Sequence, residues 1–160
     1  MTSPWQQRYD IGIQHEQYVV NELSRRGWEV TPAGQGTFPE ALRQALSRTN
    51  SALRYFPDML ATRAGDIVAI DAKTRMPASH TQRYAISRPC LDAGLRFVAL
   101  YQPIPLYYVF GDLGVTTPAE VIAYRPIAQP HPSGAYYLIQ QHRTHPFDEV
   151  FGHLLAITAA

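Results

Sequence analysis

Apolar and polar positions along the chain divide it into short segments of differing period. From Ile11 to Arg26 the spacing is helical, with Ile13, Val20 and Leu23 on one stripe, Val19 beside it, and Gln14, Gln17, Asn21, Arg25 and Arg26 outside it. Gly27 supplies a helix stop, and Trp28 to Thr31 then reads as a short strand. Pro32 to Thr37 is a glycine-bearing loop, and Pro39 to Ser47, with Ala41, Leu42, Ala45 and Leu46, predicts a second helix. A strand is expected over Pro57–Thr62, where a leading proline costs no ladder bond. After the turn Ala64-Gly65-Asp66 comes the clearest strand, Ile67–Thr74, a hydrophobic run that ends in polar residues.

The second half is less regular. Tyr84 to Ile86 predicts a short extended piece followed by a helix from Ser87, with one longer helix kinked at Pro89 as the alternative. Arg96–Tyr101 and Leu106–Phe110 read as strands on either side of a Pro103-Ile-Pro105 corner. Thr117-Pro-Ala-Glu120 has capping-box spacing, so a helix should run to about Tyr124. The proline-studded stretch 125–132 reads as a surface loop, Ala135–Gln140 as a strand, and Phe147–Leu155 as a terminal helix or turn. Helices and strands alternate without repeats or a convincing linker. The expectation is a single α/β domain over residues 1–160, a mixed central β-sheet flanked by helices, with a core at about 9–125 and an extension over 126–160.

Composition narrows the class. With 46% hydrophobic and 17% charged residues, the 160-residue chain is neither disordered nor a coiled coil. Cys90 is the only cysteine, which excludes an intrachain disulfide and fits a reducing compartment. No apolar run is long enough to span a bilayer, so a cytoplasmic protein with no membrane partner is expected. The net charge of +1 excludes a generic basic coat for nucleic acid, though not a local patch. Of the 14 basic residues 13 are arginine, and Lys73 is the only lysine, where a compact ammonium differs most from a guanidinium.

Three carboxylates attract attention beside that lysine. Glu16 shares the apolar stripe of the first helix, which is costly for a charge without a partner. Asp58 opens an otherwise apolar strand. Asp71 and Lys73, two residues apart, point to one face of their strand, with Val68, Ile70 and Ala72 on the other. Hard carboxylate oxygens suit magnesium, with manganese as a substitute, and such an ion activates water for phosphodiester hydrolysis. Asp58, Asp71 and Glu16 are the candidate metal ligands, and Lys73 would orient the water or stabilise the phosphate. A chance Pro-Asp pair, or a solvated acid and lysine at a strand end, is the competing reading. Agreement of order, spacing and orientation across three elements weighs against it.

The pattern Pro57-Asp58, twelve residues, then Asp71-Ala72-Lys73 resembles the PD-(D/E)XK nuclease superfamily. The opening helix from Gly12 through Glu16 to Gly27-Trp28, and Thr74 after the lysine, are similar to its small Holliday-junction-resolvase branch. The resemblance covers residues 9–76. It departs from that branch in the insertion 37–54 and in lacking a clear serine near Gly34-Gln35-Gly36. It implies a restriction-endonuclease-like core, a magnesium-dependent endonuclease acting on branched or structured DNA, and a homodimer, since two symmetric cuts need two sites. From Lys73 to Arg96 five bases face one acid, a local +4, which nominates Arg75, Arg83 and Arg88 for DNA contact, with Thr74 and Gln35 beside the site. The alternatives are a restriction, phage or mobile-element nuclease on duplex or single strands, and a catalytically silent DNA-binding or assembly subunit of a larger DNA-processing complex. His142 and His145 as a zinc pair, and the tyrosine pairs 107–108 and 136–137 as base platforms, are weaker readings. His15 is expected at the surface and Cys90 as a small buried hydrophobe.

Overall fold

The computed structural model describes residues 3–74, 76–124, 128–131 and 134–152. It is built on a five-stranded mixed sheet with helices on both faces, the α/β architecture expected from the sequence. The first helix, α1 (Pro4–Ser24), starts at Ser3, whose side chain accepts from the Gln6 amide, and gives way at Gly27, which adopts a positive φ of 81°. Strand β1 (Glu29–Pro32) follows, then a 3-10 turn over Gln35–Thr37 and helix α2 (Glu40–Ser47). Strands β2 (Met59–Arg63) and β3 (Asp66–Ala72) form a hairpin, then β4 (Arg83–Ser87) leads into α3 (Arg88–Leu100). The chain continues through β5 (Leu106–Val109), β6 (Val115–Thr116), α4 (Pro118–Ala123), β7 (Ala128–His131), β8 (Gly134–Gln140) and α5 (Phe147–Phe151).

The main sheet has the order β1-β2-β3-β5-β6, antiparallel except for β3 beside β5, and a second sheet has the order β4-β8-β7. A parallel pair needs a long crossover, and the segment containing β4 and α3 supplies it. The side chains of β3 alternate between two cores. Val68 and Ile70 pack with Val19 and Leu23 of α1 and with Phe147 and Phe151 of α5. Ala69 packs on the opposite face with Tyr84, Cys90, Leu91 and Tyr108. Fully buried Leu23 alone is worth about 1.5–3 kcal/mol of transfer free energy.

Two sequence expectations need correction. Residues 96–100 continue α3 rather than forming a strand. Cys90, Leu91, Gly94 and Phe97 are the buried positions of one helical face, a period that a short apolar run ending at Tyr101 hides. Within 125–132, residues 128–131 form edge strand β7 against β8, and Pro130 is tolerated there because an edge strand leaves one side of the ladder unpaired. Helix α1 starts at Pro4, well before the expected Ile11, because the Ser3 cap and Pro4 in the first turn begin it there, and β6 was not expected from the sequence; Thr117 and Glu120 make the full capping box. Among the described residues, no helix is long and apolar enough to cross a membrane.

Gly94 lets α3 approach the sheet closely: a Cβ there would lie 2.1 Å from Tyr108 Oη. Glycine to alanine inside a helix ordinarily stabilises by up to about 1 kcal/mol, so the clash decides the sign. Gly94→Ala is expected to lower unfolding stability in urea by about 1–3 kcal/mol, and adding Tyr108→Phe should recover part of that loss.

Candidate active site

The four predicted residues meet at one end of the main sheet, where β3 and its parallel neighbour β5 both finish. The β2–β3 register pairs Met59 with Ile70, and one further step along it brings Asp58 opposite Asp71. Asp58 Oδ2 accepts from the Ala72 amide at 2.8 Å, so the main chain of β3 orients this carboxylate. Its own backbone is held from the other side: the amides of Ala33 and Gly34 both donate to the Asp58 carbonyl, at 2.9 and 3.2 Å. Gly34 is required for that approach, because a Cβ would stand 2.9 Å from both Asp58 Cα and the Pro57 oxygen.

Asp71 is buried and engaged at both oxygens. Lys73 Nζ lies 2.9 Å from Oδ1, and Cys90 Sγ donates to Oδ2 at 3.4 Å. The sulfur arrives from the first turn of α3, where the Ser87 side chain caps the Cys90 amide. Burial, then the neighbouring Asp71 charge, pushes the Cys90 thiol up to about 12, so it is a proton donor at neutral pH. The Lys73 ammonium sits 5.7 Å from the Tyr108 ring centroid, and its amide donates to the Val109 carbonyl at 2.7 Å. Burial works against its charge, yet the Asp71 carboxylate at 2.9 Å outweighs burial and holds Lys73 protonated, with its pKa above the ordinary lysine value.

Glu16 comes from α1, on the other face of the sheet. The buried side of α1 is set by Val19, Glu22 and Leu23, with Glu16 half-buried and Ile13 exposed, a slight rotation from the stripe drawn on the sequence. Burial, then repulsion from Asp71, pushes the Glu16 carboxyl above its usual range. For Asp58 the rise is larger: burial leads, followed by the charges of Asp71 and Glu16, against partial relief from Lys73 and the Ala72 amide. Three acids thus share one region with one ammonium. Among the described residues, no three His, Cys, Asp or Glu groups converge closely enough to cage an ion by themselves. Magnesium takes one or two carboxylates and keeps its waters, so the donor set of Asp58 and Asp71, with Glu16 near, fits a hard dication.

The remaining candidates fall around this centre. Thr74 is exposed beyond Lys73 and borders a depression with Lys73, Ser87 and Cys90. Gln35 lines the cleft between α1 and α2 that Glu16 and Asp58 also line, and its side-chain amide donates to the Arg54 carbonyl. Arg83 is exposed at the start of β4, and Arg88 is exposed at the start of α3, with Asp92 3.9 Å away. Arg75 lies outside the described residues. His142 is exposed, while His145 Nε2 lies 2.5 Å from Glu120 Oε1 and its backbone bridges to Val115, which leaves no zinc pair in view. Tyr107 and Tyr108 pack into the two cores as expected.

Two contributors were misjudged from sequence. His15, expected at the surface, is half-buried and its Nε2 lies 3.2 Å from the Val109 carbonyl that also receives the Lys73 amide. Cys90 is buried as expected, but its sulfur touches the site instead of only filling space. In both cases the partner is remote in sequence, and only the adjacency of His15 to Glu16 gave any signal.

Solved structures share this fold. Hjc, a Holliday junction resolvase from the archaeal hyperthermophile Archaeoglobus fulgidus, matches with a TM-score of 0.56 and 14% identity, over 89% of this chain and 97% of that one. A nuclease from a fusselovirus matches with a TM-score of 0.51 and 10% identity, over 93% and 90% of the two chains. One is a resolvase and the other a nuclease, and this chain shares their fold. No protein-family model matches the chain, and no curated protein matches it in sequence.

The electrostatics give a sign that can be measured. Because the folded-state pKa of Asp58 lies above its ordinary value of 3.8, ionising it costs stability at neutral pH. Asp58→Asn is therefore expected to raise the melting temperature of the metal-free protein at pH 7. That advantage should shrink as pH falls through the raised folded value and vanish below about 3.8. Calorimetry across this range checks it, and an unchanged or lowered melting temperature at pH 7 would contradict it.

Proposed function

We propose that this protein is a metal-dependent DNA endonuclease that hydrolyses phosphodiester bonds in branched or structured DNA. The supporting observation is the convergence of Asp58, Asp71 and Lys73, with Glu16 from the opposite face, at the shared end of β3 and β5. The carboxyl ends of parallel strands are where α/β sheets generally place their ligands. The likeness to a resolvase and a viral nuclease supports the same reading.

In this reading Asp58 and Asp71 would hold a magnesium ion, which manganese could replace, with Glu16 as an auxiliary ligand. The bound ion lowers the pKa of a water and neutralises charge that develops on the phosphate. The residues do the rest. Lys73 is kept protonated by Asp71, so it acts as a fixed donor to the attacking water or to a phosphate oxygen, not as a base. Cys90 and Lys73 together fix the orientation of Asp71, and the Ala72 amide fixes Asp58. Glu16 accepts a hydrogen bond from the water on the side away from Lys73. Water would attack phosphorus and give its proton to the Glu16 carboxylate as the bond to the leaving oxygen breaks, and the leaving oxygen would take a proton from solvent. The positive segment after β3, including Arg83 at the start of β4 and Arg88 at the head of α3, steadies the flanking phosphates. A homodimer would supply the paired cuts that a four-way junction requires, and the modest net charge suits work within a larger DNA-processing complex.

Purified protein is expected to cleave at least one of a four-way junction, a flap, a duplex and a single strand with magnesium or manganese. Asp71→Asn and Lys73→Ala should each reduce the rate by at least about 10²–10³-fold while keeping a cooperative thermal transition. Absence of cleavage on every substrate with either metal would favour the silent DNA-binding subunit. Equal cleavage of plain duplex and junction would remove the preference for branched DNA.

A further inference from the structure

Upstream of Glu16, the first half of α1 faces α2 across a cleft of about 570 Å³. The helix α2 belongs to the insertion 37–54, where the sequence departs from the resolvase pattern. Arg8, Tyr9 and Ile13 line the cleft from α1 and Arg43 from α2, and Glu16 and Asp58 line it too, so it is continuous with the candidate active site. The Arg43 guanidinium lies 5.1 Å from the centroid of the Tyr9 ring. Its Nε is buried without a hydrogen-bond partner, and among the described residues no other side-chain nitrogen or oxygen is in that position. Arg8 is exposed, and Ile13 is 45% exposed.

These features have one ligand chemistry in common. A tyrosine beside a cation offers a π-face and a charge to an unpaired base and its phosphate, a pairing worth about 1–3 kcal/mol per base. The volume lies in the range of small-ligand sites, about 300–1,000 Å³, which admits a nucleotide but not a stacked duplex. The cleft lining also carries three acids: Glu16 and Asp58 of the candidate active site, and Glu40, to which the Gln44 amide donates at 3.0 Å. Arg8 and Arg43 are the cationic groups of that lining. We propose that the cleft seats an unpaired nucleotide next to the scissile phosphate, with its base on Tyr9 and Ile13 and its phosphates on Arg8 and Arg43. The substrate is then DNA with a single-stranded segment flanking the cut, a specification that rests on the nuclease reading above.

Binding of a labelled single-stranded oligonucleotide and of a blunt duplex, followed by fluorescence anisotropy in metal-free buffer, tests this without cleavage. Tyr9→Ala and Arg43→Ala should each weaken single-strand binding about 10-fold and duplex binding less than about 2-fold. Tyr9→Phe should bind like the parent chain. Arg8→Ala, on an exposed side chain that leaves packing intact, should weaken single-strand binding and flatten its salt dependence. Equal losses on both DNAs, no loss on the single strand, or no single-strand binding by the parent chain would each overturn the proposal. Single-strand binding that depends on Tyr9 and Arg43 in a chain that cleaves nothing would keep the seat and remove the hydrolytic reading. Cleavage without such dependence would do the reverse.

Discussion

Asp58, Asp71 and Glu16 repel one another across the end of the main sheet, and only one ammonium, Lys73, stands among them. For Asp58 and Glu16 ionisation costs stability, because burial removes the water that would otherwise screen the charge. Much of the surrounding structure can be read as the means of holding them in place despite that cost. Asp58 is clamped by the Ala72 amide at its side chain and by the amides of Ala33 and Gly34 at its carbonyl. Asp71 is held by Lys73 and Cys90. A dication is the natural relief for such a set, and a fold with no use for a metal there would lose nothing by replacing an acid with an amide.

The two cores divide the labour of positioning. One packs α1 and α5 on the face of Val68 and Ile70, which fixes how far Glu16 reaches toward the strand ends. The other packs α3 on the face of Ala69, which delivers Cys90 to Asp71 and slides Tyr108 beneath Lys73. Gly94 permits the second arrangement by letting α3 approach the Tyr108 hydroxyl. The parallel pairing of β3 with β5 brings the Val109 carbonyl beside Lys73, and His15 approaches the same carbonyl from α1. Both faces of the sheet therefore meet at a single backbone oxygen next to the acids.

What could be read from the sequence follows from which periods were short. Alternation in Ile67–Lys73 placed Asp71 and Lys73 on one face, helical spacing placed Glu16 toward the sheet, and the Thr117 to Glu120 box marked α4; each rests on local geometry that the fold preserves. The roles of Cys90 and His15 were not legible, because their partners lie 19 and 94 residues away and are joined only by the crossover. The helix over residues 96–100 was obscured for a different reason. Its residues are apolar on several sides, so a short window could not separate a buried helix from a buried strand. The second sheet was legible only in part, since β7 is an edge strand whose Pro130, between Pro126 and Pro132 in sequence, suggests a loop.

The central claim is that these acids form a site for a divalent cation at the shared end of β3 and β5. Anomalous diffraction from crystals of the protein grown with manganese tests it most directly. The account predicts an anomalous peak bridging the carboxylates of Asp58 and Asp71, with Glu16 facing it and Lys73 close by. Well-ordered Asp58 and Asp71 with no peak between them at saturating manganese, or a peak only elsewhere on the chain, would contradict it.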